Sequence, residues 1–222
     1  KSDRTMNPAF QSIYLVLQLV VYTALLLSTL YIFVFAFAGL FYRQSPYPKQ
    51  VTLRKIAVLI PGYKEDDVII GVANNALVQD YPAEMYDVVI IADSFLPETI
   101  ARLKELPVII IEVKFDKSTK SKALNKAMEQ LTAVYDIAVV LDADNVMAAD
   151  FLVKINASFE GDFMAVQGHR AAKNMDTPLA ILDAISEEIN NHIFRKGHRV
   201  LRLSSAIIGS GMAFRYGFFK KM

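Results

Sequence analysis

The chain begins with a long apolar segment that carries no charge and continues with short apolar runs separated by polar ones. Between Thr5 and Tyr42 there is no Asp, Glu, Lys or Arg, and the part from Ile13 to Phe41 consists largely of Leu, Val, Ile, Phe, Tyr and Ala. About 20 such residues cross a bilayer as a helix. The pattern therefore predicts a transmembrane helix over residues 13–42, with residues 1–12 as a flank before it.

Two other structures for this segment are less suited to its length. A cleavable signal peptide has an apolar region of about 7–15 residues, which is much shorter than the run found here. A buried helix of a soluble protein needs apolar neighbours on all sides, and one small domain could hardly supply them.

After a linker at residues 43–54, apolar runs rich in β-branched residues alternate with helical patterns. Such runs are typical of strands that are buried on both faces of a sheet, and helices between consecutive strands favour parallel pairing. We therefore expect an α/β domain with a mainly parallel sheet over residues 55–222. The predicted strands are Lys55–Ile60, Asp87–Ala92, Val108–Val113, Tyr135–Leu141 and Asp162–Gly168, and the last predicted helices are Phe151–Phe159 and Thr177–Phe194.

The helix predicted at Thr177–Phe194 has an apolar stripe with a spacing of four residues. Its members are Ile181, Ile185, Ile189 and Ile193. Packing in a core is the expected role of such a stripe; the alternative is that it rests on a membrane or on another part of a longer protein. The basic residues from Arg195 to Arg202 that follow would form a solvated face, or would meet lipid headgroups or an anionic acceptor.

Two carboxylates follow the strand that ends at Leu141. Asp142 and Asp144 are two residues apart, and the ends of parallel strands are where ligands bind in α/β sheets. Hard carboxylate oxygens suit Mg²⁺ or Mn²⁺, which usually share phosphate oxygens with the protein. An ordinary turn after a strand also uses Asp, so this spacing alone leaves both interpretations open.

Six short segments in a fixed order resemble the signature of family 2 glycosyltransferases. The segments are Ile60-Pro61-Gly62-Tyr63-Lys64-Glu65, Gln79-Asp80-Tyr81-Pro82, Ala92-Asp93-Ser94, Lys120-Ser121-Lys122-Ala123-Leu124-Asn125, Leu141-Asp142-Ala143-Asp144 and Gly209-Ser210-Gly211. The resemblance extends from Lys55 to the end of the chain. It implies the GT-A fold, a nucleotide-diphosphate sugar donor, a divalent metal (Mg²⁺ or Mn²⁺) and inversion at the anomeric carbon by single displacement.

The same resemblance implies roles for individual residues around the donor. It places Tyr63 against the nucleobase, Glu65 near the ribose and Asp93 near the imino edge of the base, a set that suits a uridine-like ligand. Each of the three also has an ordinary structural explanation, as a half-buried aromatic, a helix first-turn acid and a strand-end turn residue. The remaining donor-site residues that the resemblance implies are Pro61, Asn125, Ala143, Gly209, Ser210 and Gly211.

For the phosphates and the metal, the resemblance points to one lysine and two acids. Lys122 would face the diphosphate, where a positive charge offsets the charge on the leaving group; Lys117, Lys120 and Lys126 are nearby alternatives. Asp144 would coordinate the metal directly. Asp142 would bind the ribose or a metal-bound water.

In that family the general base is an Asp in an acidic motif downstream of the Gly-Ser-Gly segment, and this motif is not found before Met222. The resemblance therefore predicts that the base lies beyond Met222 and that this chain is a piece of a longer protein. On this basis we expect the chain alone to bind donor and metal but to transfer sugar inefficiently. We accordingly assign no catalytic residue.

Composition excludes some functions and indicates where the protein works. The 222 residues include no Cys, so no disulfide framework is expected. The formal net charge is only +1, so no strongly basic surface that would attract nucleic acid is expected either. A G-x-G-x-x-G turn of dinucleotide enzymes is absent after the first strand. Basic residues are more frequent after the apolar segment than before it (Arg43, Lys49, Arg54 and Lys55 against Lys1 and Arg4), which predicts a cytoplasmic α/β domain at the inner or plasma membrane.

The expected partners are a nucleotide-sugar donor, UDP-sugar being favoured, a saccharide or lipid-linked acceptor, and the lipid bilayer. Building a surface polysaccharide or glycolipid is the favoured activity. A polyprenyl-phosphate sugar transferase and a non-catalytic nucleotide-binding membrane scaffold remain as alternatives. His169 and His192 have no neighbours in a zinc-binding pattern and are expected to be structural or exposed.

Overall fold

The computed structural model describes residues 8–43, 48, 51–172 and 174–222, which form two compact units. One unit comprises residues 8–43 and 174–206, and the other comprises residues 48, 51–172 and 207–222. The helices are α1 (Pro8–Gly39), α2 (Asp66–Ala76), α3 (Pro97–Leu103), α4 (Lys120–Gln130), α5 (Phe151–Ser158), α6 (Pro178–Asn191), α7 (His198–Val200) and α8 (Tyr216–Phe219). The strands are β1 (Ile56–Tyr63), β2 (Tyr86–Asp93), β3 (Ile109–Val113), β4 (Ile137–Val140), β5 (Ala165–Gln167) and β6 (Met212–Arg215).

The second unit is a six-stranded sheet flanked by helices, which confirms the α/β fold class but adds a strand to the five that the sequence predicts. The strand order is β3-β2-β1-β4-β6-β5. Strands β1 to β4 pair in parallel, whereas β6 lies antiparallel between β4 and β5. The sequence patterns did not indicate β6, which is short and follows a glycine loop.

Alternate residues of each central strand face opposite sides of the sheet, and both sides are covered. In β1, Ile56, Val58 and Ile60 belong to the core that also contains apolar residues of α2, α3 and α5. Ala57 and Leu59 belong to the core on the other side, which contains those of α4 and Tyr216 of α8. This two-sided burial explains why the strands read as continuous apolar runs.

Strand β1 extends further than the sequence predicts. The predicted strand stops at Ile60, but the structure continues through Pro61 and Gly62, which pair with Ile91 and Ala92 of β2. On the other side of β1, pairing with β4 ends at Leu59. Because Pro61 therefore lies where β1 has one strand partner, its missing N–H removes no bond from a central ladder.

The first unit contains α1 and the helical segment 178–200. Helix α1 has 32 residues and is long and apolar enough to cross a membrane. It starts and ends a few residues earlier than the predicted span of 13–42. Parts of the predicted flank at 1–12 and of the predicted linker at 43–54 lie outside the described residues.

The last third of α1 packs against a π-helical turn, His192–Gly197, that follows α6. Phe35 stacks on the His198 ring with centroids 3.9 Å apart, and His192 Nε2 lies 2.9 Å from the Ala36 carbonyl oxygen. A Cβ on Gly197 would lie 2.2 Å from the Phe35 carbonyl oxygen. Glycine is therefore required for this close approach, and His192 has the structural role expected for it.

The apolar stripe of α6 does not pack in a core. Ile181, Ile185 and Ile189 keep 44%, 51% and 51% of their surface exposed. The prediction of core packing is therefore wrong for these three residues, whereas Ile193, the fourth member of the stripe, is half-buried. His169 is also exposed.

Candidate functional site

Strands β1 and β2 end side by side, and each is followed by a residue in the left-handed conformation. Tyr63 is aligned with Asp93, and the next residues, Lys64 and Ser94, have φ values of 55° and 59°. The Lys64 N–H donates to the Asp93 carbonyl oxygen at 3.1 Å, so the turn is held by the neighbouring strand. Strained backbone of this kind costs about 1–3 kcal/mol and concentrates at functional sites.

A cavity of about 170 Å³ lies at this edge of the sheet. Its lining residues are Pro61, Gly62, Tyr63, Asp93, Ser118, Thr119, Lys120 and Ala123. Asp93 is 2% exposed, and its Oδ1 accepts a hydrogen bond from the Ser94 hydroxyl. Tyr63 is 52% exposed. The cavity therefore offers a flat aromatic surface together with a buried carboxylate.

Lys120, the first residue of α4, joins three parts of the chain at this cavity. Its ammonium group donates to Asp142 Oδ1, after β4, and to the Gly209 carbonyl oxygen, before β6. The Asp142 N–H in turn donates to Ser210 Oγ at 2.9 Å. The β4 loop, the start of α4 and the Gly-Ser-Gly loop therefore meet at one point.

The Gly-Ser-Gly loop is fixed by hydrogen bonds within the protein. Ser210 is fully buried, and its Oγ accepts a hydrogen bond from Asn145 Nδ2 at 2.5 Å. The Gly211 N–H donates to the Val140 carbonyl oxygen and the Ser210 N–H donates to that of Ile208. These two N–H groups are thus bonded within the protein and are not directed at a ligand.

Gln167, in β5, holds the same loop and was not identified from the sequence. Its Nε2 donates to the Ser210 carbonyl oxygen, and its Oε1 accepts from the Ile208 N–H, both at 2.9 Å. A glutamine on a short strand has no distinctive local pattern. Its partners lie about 40 residues later in the chain, so only the pairing of β5 with β6 reveals its role.

The two acids after β4 differ in their surroundings. Asp142 is half-buried and paired with Lys120, whereas Asp144 is exposed and makes no hydrogen bond or ion pair within the described part of the chain. Ala143 between them is buried. The loop is supported from the α2 side, where Asn75 Oδ1 accepts from the Met147 N–H at 2.8 Å.

This donor set fits a divalent cation that also binds phosphate. Within residues 8–43, 48, 51–172 and 174–222, no cluster of three or more His, Asp or Glu side chains could hold a metal. Asp142 and Asp144 offer hard oxygen donors, and Mg²⁺ or Mn²⁺ commonly completes its coordination with substrate phosphate and water. The ammonium of Lys120 at Asp142 shows that this carboxylate already has a positive neighbour.

Lys122 and Asn125 do not line the cavity. Ala123, Leu124, Ala127 and Met128 form the buried face of α4, whereas Lys122 and Asn125 are exposed. The Lys122 ammonium donates to the Lys117 carbonyl oxygen at 3.0 Å. Lys120 lies three residues before Ala123 and four before Leu124, so it is on the same side of α4 as these buried residues. Helical periodicity could therefore have identified Lys120, and not Lys122, as the lysine that lines the cavity.

Glu65 lies at the start of α2 and is exposed. Its carbonyl oxygen accepts the N–H groups of Val68 and Ile69, which begins the helix. Its side chain is not among the residues that line the cavity. A contact with a ribose at this position remains a prediction.

The family comparison matches 54–222 of this chain to the glycosyltransferase like family 2 model. This match covers the whole sheet and every residue of the site described above. The chain therefore belongs to this glycosyltransferase family. No curated protein matches the chain.

Solved structures with the same fold include two proteins of distant sequence. The mannosyltransferase PcManGT from Pyrobaculum calidifontis, in complex with GDP-Man and Mn²⁺, is 20% identical with a TM-score of 0.59, over 89% of this chain and 56% of that chain. TarS 1–349 from S. aureus, in complex with UDP, is 16% identical with a TM-score of 0.54, over 75% of this chain and 48% of that one. The chain thus spans about half the length of these relatives, and the likeness establishes the GT-A-like fold.

Proposed function

We propose that this protein binds a nucleotide-diphosphate sugar, UDP-sugar being favoured, and serves an inverting transfer of the sugar to a polysaccharide or glycolipid acceptor. The observation that carries the proposal is the meeting of Lys120, Asp142 and the Gly-Ser-Gly loop beside the cavity of Tyr63 and Asp93. In a glycosyltransferase family member, this edge is the natural place for a diphosphate and the base attached to it.

The cavity residues suit the nucleoside half of the donor. The exposed ring of Tyr63 offers a surface on which a base can stack. The buried carboxylate of Asp93 can accept the imino N–H of a uracil or guanine base. Charge-assisted hydrogen bonds of this kind are stronger than neutral ones, so Asp93 would contribute both affinity and choice of base.

Lys120 suits the diphosphate half of the donor. Its ammonium group is held between Asp142 and Gly209, at the edge where the phosphates would lie. A positive charge at this position stabilises the negative charge that develops on the leaving diphosphate. Lys120, one of the alternatives to Lys122, would thus take the role at the diphosphate that the family resemblance implied for Lys122.

Asp144 and Asp142 would hold the divalent cation. When bound, Mg²⁺ or Mn²⁺ supplies Lewis-acid neutralisation of the departing diphosphate. Asp144 is exposed and without a protein partner in the described chain, so it can bind a cation without first breaking a contact. Asp142 would first have to break its ion pair with Lys120. Its proposed role is therefore to order the loop or to bind a metal-bound water.

Helix α1 would anchor the enzyme in a membrane, with the sheet unit on the cytoplasmic side. Its length and composition support this placement, and the basic residues beyond it follow the positive-inside pattern. A membrane anchor brings the site close to acceptors that are themselves lipids. It therefore also supports the second candidate, a polyprenyl-phosphate sugar transferase.

The test is calorimetric titration of UDP and of GDP into the detergent-solubilised chain, with Mn²⁺ and with EDTA. Both nucleotides are used because the relatives named above were solved with GDP-Man and with UDP. We expect binding that requires Mn²⁺ and is lost in Asp144→Ala but kept in Asp162→Ala, a change of another exposed acid. A folded chain that binds neither nucleotide would refute the proposed donor site.

A further inference from the structure

The apolar face of α6 is exposed in a unit whose other long element, α1, is the proposed membrane anchor. Ile181, Ile185 and Ile189 lie on one face, and Leu182 next to them is 62% exposed. Asp183 lies on another face of the same helix, since it is two residues from both Ile181 and Ile185. An amphipathic helix with an uncovered apolar face is suited to the boundary between lipid headgroups and acyl chains.

The packing within this unit indicates how deep in the bilayer the π-helical turn after α6 would lie. A helix of 32 residues is about 48 Å long, and about 20 residues are enough to cross the hydrocarbon core. About a third of α1 therefore extends beyond the core. The contacts with the 192–198 segment fall on the last residues of α1, at Tyr31, Phe35, Ala36 and Gly39.

These contacts fix the segment rigidly to α1. Tyr31 Oη lies 3.1 Å from His198 Nε2, Phe35 stacks on the same ring, and the missing side chain of Gly197 allows the π-helical turn to touch the α1 backbone. If the about 20 residues that cross the hydrocarbon core are those from Ile13 to Ile32, the π-helical turn lies where α1 leaves the hydrocarbon. Helix α6 ends directly at this turn.

The positive charge of residues 199–203 is complementary to the anionic lipid headgroups of the cytoplasmic surface. Arg199 and Arg202 are exposed and alternate with the exposed apolar residues Leu201 and Leu203. Arginines interleaved with leucines are typical of surfaces that bind anionic headgroups while inserting apolar side chains. A soluble protein partner would not require this combination so close to the end of α1.

We propose that α6 lies on the cytoplasmic face of the bilayer, with Ile181, Ile185 and Ile189 inserted between lipids and Arg199 and Arg202 on anionic headgroups. This inference rests on the proposed membrane anchoring by α1. It goes further because it assigns a second lipid contact to a segment that lies in the chain directly before the Gly-Ser-Gly loop. The occupant of the exposed stripe is then lipid, not another protein.

The test uses the whole chain in nanodiscs of phosphatidylcholine and phosphatidylglycerol. Because the chain has no cysteine, a single cysteine can be introduced at Ile185→Cys, at Asp183→Cys on the other face of α6, or at Leu19→Cys in α1. Each variant is labelled with the fluorophore NBD, and quenching by lipids with a nitroxide on the acyl chain is measured. UDP binding with Mn²⁺ is measured on the same samples and reports independently on the donor site.

We expect strong quenching at Leu19 and at least about twofold more quenching at Ile185 than at Asp183. Nanodiscs of phosphatidylcholine alone should reduce quenching at Ile185. Quenching at Leu19 with equal, weak quenching at both α6 positions would overturn the inference and leave the anchoring intact. Absence of quenching at Leu19 would overturn the anchoring and the inference together.

Discussion

Lys120 and Asp142 form an ion pair at the edge of the sheet where β1, β2 and β4 end. Both side chains are more than a third exposed, so the pair contributes little to folding stability. In the proposed donor site, a diphosphate at this edge would offer Lys120 a second anionic partner, and Asp142 would then become available for a cation. We infer that donor and cation binding are coupled through the exchange of this pair.

Replacing Lys120 should weaken nucleotide binding, whereas replacing Lys122 should not. A charge-assisted hydrogen bond is worth about 1.5–3 kcal/mol, which corresponds to a loss of about 10-fold to 150-fold in affinity. We expect this loss for Lys120→Met in calorimetric titration of UDP with Mn²⁺. Lys122→Met is the matched control, because it removes the same charge two residues away. Equal losses of affinity in the two variants would show that Lys120 contributes only its long-range positive charge and makes no specific contact with the nucleotide.

Ser210→Ala should destabilise the sheet unit. Ser210 is fully buried and its hydroxyl accepts the Asp142 N–H and bonds Asn145. Leaving such buried groups without a partner costs about 1–3 kcal/mol. We expect the melting temperature to fall by several degrees in a thermal unfolding experiment. Ser158→Ala, which removes an exposed hydroxyl bonded within α5, should leave it unchanged.

Gly197→Ala should loosen the packing between the π-helical turn and α1. The new Cβ would lie 2.2 Å from the Phe35 carbonyl oxygen, a backbone atom that cannot rotate away. Overpacking of this kind costs about 1–3 kcal/mol. Hydrogen exchange measured by mass spectrometry should accelerate in the 178–200 segment.

Gly71→Ala is the control for that substitution. A Cβ on Gly71 meets nothing within 4 Å, and alanine in a helix interior is favoured over glycine by about 0.5–1 kcal/mol. This variant should keep normal exchange in 178–200 and unfold at a slightly higher temperature. If both variants exchange alike, the close approach of Gly197 to α1 is not a constraint.

The ion pair of Glu160 with Arg54 should make stability depend on pH in the acid range. Arg54 Nη1 lies 2.7 Å from Glu160 Oε1, and the Thr52 N–H also donates to this oxygen. The hydrogen bond from Arg54 lowers the pKa of Glu160 below its ordinary value of 4.5. The native state therefore binds this proton less readily than the unfolded state. The stabilisation is complete above the ordinary value and is lost as the pH falls through the lower native pKa.

Glu160→Gln should accordingly be less stable than the wild type at about pH 6 and nearly as stable at about pH 3. Urea unfolding at the two pH values measures this difference. Glu129→Gln, which removes an exposed acid paired with Lys126 within α4, serves as the control. A gap between wild type and Glu160→Gln that is the same at both pH values would contradict the assignment.

The sequence was sufficient to predict the parallel part of the fold. Strands β1, β2 and β4 are buried on both faces, so each appears as a continuous apolar run. The edge strand β3 is only partly buried but is also largely apolar. Strand β6 was missed because its four residues, Met212–Arg215, carry no such signal. Its position between β4 and β5 depends on pairing with residues about 75 positions earlier in the chain.

In the site, residue types were easier to predict than the directions of side chains. Tyr63, Asp93 and Asp142 lie at the edge where their strands end. Lys122, which the resemblance implied at the diphosphate, is exposed, whereas Lys120, three residues before the first buried position of α4, lines the cavity. The stripe of α6 shows the converse difficulty: periodicity identifies an apolar face but does not reveal what covers it.

The insertion of β6 between β4 and β5 has a consequence for the order of assembly. The chain leaves the sheet after β5, forms the 174–206 segment in the other unit, and returns with β6. Ser210, Gly211 and β6 therefore reach Asp142 only after the 174–206 segment has been synthesised. If that segment settles on the membrane first, the hydrogen bonds of Ser210 and Gly211 at this edge of the sheet would form only afterwards.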